Sequence, residues 1–155
     1  MLRIHIIPYY PKTHTPSEEF IVPVKLEHLT QPNDADWVDL EKIQNETAPY
    51  GLASASDLKN WPDDSHWFIG GRFNDRIIGA LLAEKSGNAI TLSAAGVRQI
   101  TQRRGVMHQM LHFIQKWAVE SGFSLAVKVS DDSLRASLLK RGFTTEGELL
   151  RYNHN

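Results

Sequence analysis

Cysteine is missing from this chain of 155 residues, and so is any long apolar run. The first absence excludes disulfides, thiolate metal sites and a cysteine nucleophile. It fits a reducing compartment, so we expect a cytoplasmic protein. The apolar stretch at the start is broken by His5 and Pro8, which makes it too short to span a membrane, and no small-residue cleavage site follows it.

An excess of charge of either sign is missing as well. Seventeen Lys and Arg residues stand against eighteen Asp and Glu residues, which gives a formal net charge of -1. Such a balance provides no general attraction for nucleic acid or an anionic membrane, and we expect neither as a partner. Any positively charged site must therefore be local. With 41% hydrophobic residues, the chain suits one domain with a substantial core.

The order of the elements predicts an α+β fold. Residues 1–19 are interpreted as an N-terminal extension, because a proline-rich polar segment follows LRIHII, a candidate extra strand, and residues 20–155 are the domain. The first helix is expected to be capped at Asp34 or Asp36, and Asn74 and Asp75 to form a hairpin turn. Periodicity and turn residues predict strands at 21–26, 66–73, 76–85, 89–97, 125–129 and 147–152, and helices at 36–48, 54–61, 105–121 and 131–140.

The stretch 101–111, TQRRGVMHQML, places two arginines and a glycine directly before a helix. A helix N-terminus gathers free N–H groups and the positive end of the helix dipole, which suits an anion such as a diphosphate. Gly105 lets the backbone approach a ligand closely, and Arg103 and Arg104 add charge. A solvated basic turn before a core helix explains the same residues equally well. Met107 is bulky for an anion site, and we expect its side chain to turn into the core.

The run 97–107, VRQITQRRGVM, resembles the acetyl-CoA-binding motif of the GNAT superfamily of N-acetyltransferases. The later Arg141, Gly142 and Phe143 look like the Gly-Phe end of the last helix in that superfamily. The resemblance covers about residues 20–152. It implies a GNAT-like (acyl-CoA N-acyltransferase) fold, with a mixed, mostly antiparallel sheet, a βαβ coenzyme-binding crossover and flanking helices. The motif positions, which the resemblance assigns to the diphosphate, are Gln102, Arg103, Arg104, Gly105, Val106 and Met107.

Within that superfamily the chain looks most like the PanZ (PanM) family, on the segments 37–43 (WVDLEKI), 72–80 (RFNDRIIGA) and 97–106 (VRQITQRRGV). The resemblance implies an acetyl-CoA sensor that acts as a maturation factor for the aspartate decarboxylase precursor. It places the backbone of Ala95, Gly96 and Val97 along the pantetheine. It also brings Asp131 and Ser133 towards the adenosine or pantetheine, although a plain helix cap explains those two residues equally well.

An active N-acetyltransferase, acting on an amine of a small molecule or a protein, is the alternative function. The superfamily commonly uses a tyrosine on the last helix as general acid, and the matching position here is Leu138, which donates no proton. Glu84, near the end of a central strand, is a weak candidate for the general base, and a solvated strand-end glutamate is the simpler interpretation. Tyr152 is another candidate near the site, although packing on the last strand accounts for it more simply.

Three further groups of residues were considered and given structural roles. His108 and His112 lie four residues apart on one helix, but no third metal ligand is evident, so no metal is expected and both are interpreted as exposed residues. Trp117 has core spacing, and Trp61 and Trp67 are expected to be core or loop anchors. Asp63 and Asp64 are expected to lie in a solvated loop.

Overall fold

A computed structural model describes residues 21–47, 57–129 and 132–153. Within them the chain forms seven strands, three α-helices and two short 3-10 turns, at Leu58–Asn60 and Gln99–Thr101. The strands are β1 (Lys25–Leu29), β2 (His66–Phe73), β3 (Arg76–Ser86), β4 (Ala89–Val97), β5 (Ser124–Lys128), β6 (Thr144–Glu146) and β7 (Leu149–Tyr152). The helices are α1 (Asp34–Glu46), α2 (Val106–Ser121) and α3 (Asp132–Lys140).

The described strands form one sheet in the order β1-β2-β3-β4-β5-β7-β6. The β4 and β5 strands pair in parallel, and the other neighbours pair antiparallel. The turn between β2 and β3 is made by Asn74 and Asp75, which both have positive φ, as a two-residue hairpin turn with the twist of a sheet requires. The expected α+β fold, hairpin and βαβ crossover are confirmed.

Helices cover both faces of the sheet. The α2 and α3 helices share one apolar cluster with the sheet, which contains Met110, Ile114 and Leu138. The α1 helix contributes Leu40 and Ile43 to a separate cluster on the other face. Since α2 spans the crossover from β4 to β5, its first turn lies where β4 ends, and that junction is where the sequence predicts the anion site.

Three details of the predicted elements were wrong. The first described strand begins at Lys25, because Pro23 has no N–H and the main chain on either side of it bonds to α2 instead of a strand. The cap of α1 is Asn33, whose side chain accepts from the N–H of Asp36, while the Asp36 carboxylate accepts from the N–H of Asn33. The short, fully exposed strand β6 was missed, since it has no buried face to produce an apolar pattern.

Some predictions fall outside the described residues. These are the extension 1–19 with its candidate strand, the start of the helix expected at 54–61, and Asp131. The described end of that 54–61 segment is the 3-10 turn Leu58–Asn60, which is capped by Asp57. No helix in the described ranges is long and apolar enough to cross a bilayer.

Candidate functional site

The β4 and β5 strands separate halfway along β4, before the loop that leads from β4 into α2. Their parallel pairing covers 89–92 of β4 and 124–127 of β5, ending with Leu92 opposite Val127. The rest of β4 continues alongside β3 alone, as far as Val97 opposite Gly79. The β5 side of the second half of β4 therefore presents backbone groups that the neighbouring described strand does not use, in a gap that suits an extended ligand.

A β-bulge bends β4 at this point of separation. Gly96 pairs with Ala80 and Ser93 with Leu82, so Ala94 and Ala95 together face the single residue Leu81. Ala94 has a φ of 55°, in the left-handed region that a residue with a side chain rarely adopts. The gap is therefore produced by the main chain of β4 itself.

Hydrogen bonds to β3 and to α1 fix the start of the loop that follows β4. The N–H of Arg98 donates to the carbonyl of Ile78 on β3, at 2.8 Å. The carboxylate of Glu46, the last residue of α1, accepts from Arg98 Nε at 2.9 Å and from the N–H of Gln99 at 2.7 Å. These bonds, led by that from the Arg98 side chain, lower the pKa of Glu46. The start of the loop is thereby attached to α1 and to β3.

The second half of the loop, residues 103–107, has the backbone pattern of an anion-binding site, and we call it the cradle. Arg103 and Gly105 both have positive φ, 64° and 78°, and Arg104 between them does not. Alternating handedness of this kind turns successive N–H groups towards one side. Gly105 also caps α2, and no described side chain provides a capping hydrogen bond, so the N–H groups of Val106 and Met107 lie at the positive end of the helix.

Met107 does not crowd this cradle. Its side chain is partly buried and packs against the core cluster beneath α2, as expected. The fully buried Met110, one turn later, lies against two glycines of the sheet: a Cβ added at Gly71 or Gly79 would come within 2.9 or 2.8 Å of its sulfur. The α2 helix is therefore seated close to the sheet, and its first turn presents backbone instead of a side chain to the site.

Sequence reasoning missed the role of Gln109. Its side chain is buried and bonds the main chain of Val22 and Val24, the segment that leads into β1. Pairs separated by 85 and 87 positions leave no local pattern. A polar residue on an otherwise apolar helix face was the one available signal.

The other candidate residues lie in different places. Ser133 is exposed in the first turn of α3. Glu84 lies opposite His66 and Thr91, and its carboxylate is 3.6 Å from His66 Nε2. It is five residues along β3 from Gly79, or roughly 16 Å at the rise of a strand, so it is not beside the loop.

Leu138 and Tyr152 both pack in the apolar cluster beneath α2 and α3. Leu138 is completely buried in the cluster beneath α2 and α3. Tyr152 is partly buried and packs on Phe143, with ring centroids 5.2 Å apart, which is the simpler of its two interpretations.

Trp61, Trp67 and Trp117 pack against the two apolar clusters, as expected. Asp63 is exposed but ordered, because it accepts from the N–H of Ser65 and bonds His66.

His108 and His112 line a groove between α2 and α3 together with the cations Lys116, Lys140 and Arg141. Arg141 Nη2 lies 2.7 Å from His108 Nδ1. A guanidinium only donates, so Nδ1 accepts and the ring is neutral. Partial desolvation, Arg141 and His112 together lower the pKa of His108 to about 4. No cluster of three metal-ligating side chains occurs in the described part of the chain.

The low pKa of His108 predicts a pH-dependent stability. The unfolded chain binds a proton near pH 6.5 and the folded chain only near pH 4, so the folded state loses stability as the pH falls between these values. His108→Gln is expected to flatten that fall, measured by chemical denaturation at pH 7, 5.5 and 4.5. The pKa of His112 is also lowered, but less strongly, so His112→Gln is expected to have a smaller effect in the same direction. Parallel stability curves for the wild type and His108→Gln would contradict this assignment.

The chain matches a family model described as "Acetyltransferase (GNAT) domain, PanZ" over residues 23–148. It is similar to the PanD regulatory factor of Salmonella typhimurium, with 33% identity over 126 residues, which cover 79% of this chain and 91% of that protein. It is also similar to the PanD regulatory factor of Escherichia coli, with 28% identity over 123 residues, 74% of this chain and 86% of that protein.

Solved structures agree in fold. The solution NMR structure of YhhK from Escherichia coli, bound to coenzyme A, has a TM-score of 0.64 and 27% identity, and the match covers 84% of this chain and 98% of that one. The PaiA N-acetyltransferase of Thermoplasma acidophilum, in complex with coenzyme A, has a TM-score of 0.56 and 14% identity, with 84% and 99% coverage. With its separated β4 and β5 strands and the loop before α2, the chain has a GNAT fold and belongs to the PanZ family of GNAT domains.

Proposed function

We propose that this protein binds acetyl-CoA and regulates the maturation of the aspartate decarboxylase precursor, as a PanZ-type factor in the cytoplasm. The observation that carries the proposal is the gap between β4 and β5, which ends in a loop of alternating handedness at the N-terminus of α2. The name of its relatives, PanD regulatory factor, supports the choice of partner.

The residues present suit the coenzyme. Its diphosphate needs several N–H donors and positive charge at one point, and the loop offers backbone donors together with two arginines. Its pantetheine arm carries amides that bond to a free strand edge, as the second half of β4 provides. The residues assigned to the coenzyme are Ala95, Gly96 and Val97 for the arm, Gln102, Arg103, Arg104, Gly105, Val106 and Met107 for the diphosphate, and Asp131 and Ser133 for the adenosine or pantetheine side.

Bound acetyl-CoA would contribute its acetyl group and a part of the protein's surface, and the protein's own residues would hold the coenzyme in position. Leu138 fills the general-acid position with a completely buried aliphatic side chain, and Glu84 faces His66 instead of the loop. Neither arrangement supports proton transfer at a thioester held in the gap. Regulation through binding is therefore favoured over acetyl transfer.

Arg103→Ala is expected to weaken acetyl-CoA binding at least about tenfold, because a hydrogen bond to a charged phosphate contributes about 1.5 to 3 kcal/mol. Arg103 is exposed and held by its backbone in the cradle, so its loss should leave the fold intact. Isothermal titration calorimetry measures the affinity. Lys25→Ala, which also removes an exposed positive charge, from the edge strand β1, is the matched control and should bind within twofold of the wild type. Absence of any binding by the wild type would contradict the proposed function.

The partner is tested by co-purification with the decarboxylase precursor and by following precursor cleavage, each with and without acetyl-CoA. We expect association and cleavage to depend on the coenzyme. A panel of amines, assayed for thiol release with the wild type and Glu84→Gln, examines acetyl transfer in parallel. Turnover that disappears in Glu84→Gln, without association with the precursor, would replace the proposal by the enzymatic alternative.

A further inference from the structure

Gln109 makes three hydrogen bonds from a buried position on α2. Its Oε1 accepts from the N–H of Val24 at 3.2 Å, and its Nε2 donates to the carbonyl of Val22 at 2.7 Å and to the carbonyl of Gly105 at 3.1 Å. The residue is 2% exposed. One carboxamide thus joins the segment 21–24, which precedes β1, to the cap of α2.

The segment 21–24 also contacts the loop directly. The N–H of Val22 donates to the carbonyl of Arg104 at 2.9 Å. A Cβ added at Gly105 would come within 3.3 Å of Ile21. The second half of the loop is therefore packed between this segment and the first turn of α2.

These bonds fix the direction of two peptide groups in the cradle. In a trans peptide the C=O and the N–H point in opposite directions. The carbonyl of Arg104 is held by Val22, so the N–H of Gly105 points away from the segment 21–24. The carbonyl of Gly105 is held by Gln109, so the N–H of Val106 points away from the body of α2. Both N–H groups are thereby turned away from the contacts that hold the loop, as the binding of an anion there requires.

We infer that Gln109 is a positioning residue for the coenzyme: it holds the segment 21–24 against the loop and so links the order of that segment to the affinity for acetyl-CoA. The inference rests on the proposed function, since it assigns the diphosphate to this loop. Binding of the diphosphate stabilises the two oriented peptides, and by linkage it stabilises the bonds that orient them. Ile21, the first residue that the structure describes, lies beside the loop at Gly105.

Gln109→Leu removes all three hydrogen bonds with a side chain of similar length. It is expected to weaken acetyl-CoA binding about tenfold in calorimetry, since the loop then has to be ordered at the cost of binding energy. Gln109→Glu keeps the acceptor for Val24 but loses both donors, and should weaken binding as well. Gln115→Leu is the matched control: it lies on the same helix and bonds the carbonyl of Arg141 instead of the loop, so it should bind within twofold of the wild type.

Hydrogen exchange provides a second readout: slowing at Val22 and Val24 that exceeds the slowing in the core strands reports on local opening of the segment 21–24 and not on global stability. In the wild type, acetyl-CoA should slow the exchange of the Val22 and Val24 amides several-fold, although neither is assigned to the coenzyme. In Gln109→Glu this slowing should be lost or reduced. The wild-type measurement stands even if the leucine variant fails to fold.

The possible results separate the inference about Gln109 from the proposed function. Wild-type affinity in both Gln109 variants, or exchange at Val22 and Val24 that acetyl-CoA leaves unchanged, would overturn the inference while the proposed function remains. Failure of the wild type to bind acetyl-CoA at all would remove the proposed function and this inference together.

Discussion

Asp39→Ala is expected to lower the free energy of unfolding by about 3 kcal/mol, one of the two largest effects that we predict. The Asp39 side chain is 2% exposed on α1. It accepts from Arg76 Nε at 2.9 Å, from Arg76 Nη2, and from the N–H of Ile77 at 3.0 Å. Its removal leaves the Ile77 N–H buried without an acceptor and releases a charge-assisted pair, and both losses are in the upper range for single hydrogen bonds.

The same contacts predict how this loss varies with pH. Burial alone raises the pKa of Asp39, but the bonds from Arg76 and Ile77 outweigh it and leave the pKa below its usual value. Its stabilising effect is therefore present above about pH 4 and is lost as the pH falls through the lower, folded-state pKa. The difference in unfolding free energy between the wild type and Asp39→Asn should shrink below pH 4.

Chemical denaturation at pH 7 measures the effect, with Glu41→Ala as control. Glu41 is an exposed carboxylate on the same helix, and its removal should change the stability by less than about 0.5 kcal/mol. Asp39→Asn keeps an oxygen for Ile77 and should fall between the two. Equal stability of Asp39→Ala and Glu41→Ala would show that this attachment of α1 to the β2–β3 hairpin contributes nothing.

Gly79→Ala is expected to cost about 2 to 3 kcal/mol, the second of the largest effects. A Cβ at this position would lie 2.8 Å from the sulfur of Met110, 2.9 Å from Val106 Cγ1 and 3.3 Å from Val97 Cγ1. Three neighbours from β4 and α2 would have to move at once. Two of them are the last residue of β4 and the first residue of α2, so the shift would open the loop between them.

This position should therefore affect stability and coenzyme binding together. Gly79→Ala is expected to weaken acetyl-CoA binding about tenfold in addition to lowering the melting temperature. Gly71→Ala meets the same Met110 sulfur at 2.9 Å, but its nearest contacts are with Met110 and Val24 instead of Val97 and Val106, so it should lower stability with a smaller effect on affinity. Combining Gly79→Ala with Met110→Ala should cost less than the sum of the two single changes, because the added methyl fills part of the cavity. Full stability of Gly79→Ala would show that the seating of α2 is loose.

Prediction from sequence succeeded where the pattern was local. The hairpin at Asn74 and Asp75 carries its own turn chemistry, and α2 carries an apolar face that ends at Gly122 with positive φ. The loop 102–107 was located for the same reason, because its glycine and arginines are adjacent in the chain. The fold is confirmed, while the assignment of the loop to the diphosphate stays a prediction.

Prediction failed where long-range contacts decide the structure. Residues 21–24 have the composition of a strand, yet their main-chain groups bond to Gln109 on α2 and to Arg104 in the loop before it. The cap of α1 was predicted at Asp34 or Asp36 instead of Asn33, since all three are capping residues and only the geometry of the entering chain selects among them. The pairing of Glu84 with His66 required the register of β2 and β3, which a sequence does not contain.

The bulge at Ala94 and Ala95 has a consequence for how freely this protein can diverge. The strand edge along the gap is made from main-chain groups, so it makes few demands on the identity of the β4 side chains beside it. The side chains that border the gap are then available for another task, such as the proposed recognition of a protein partner. The same main-chain gap can in this way lie beside surfaces that differ from one protein of this fold to the next.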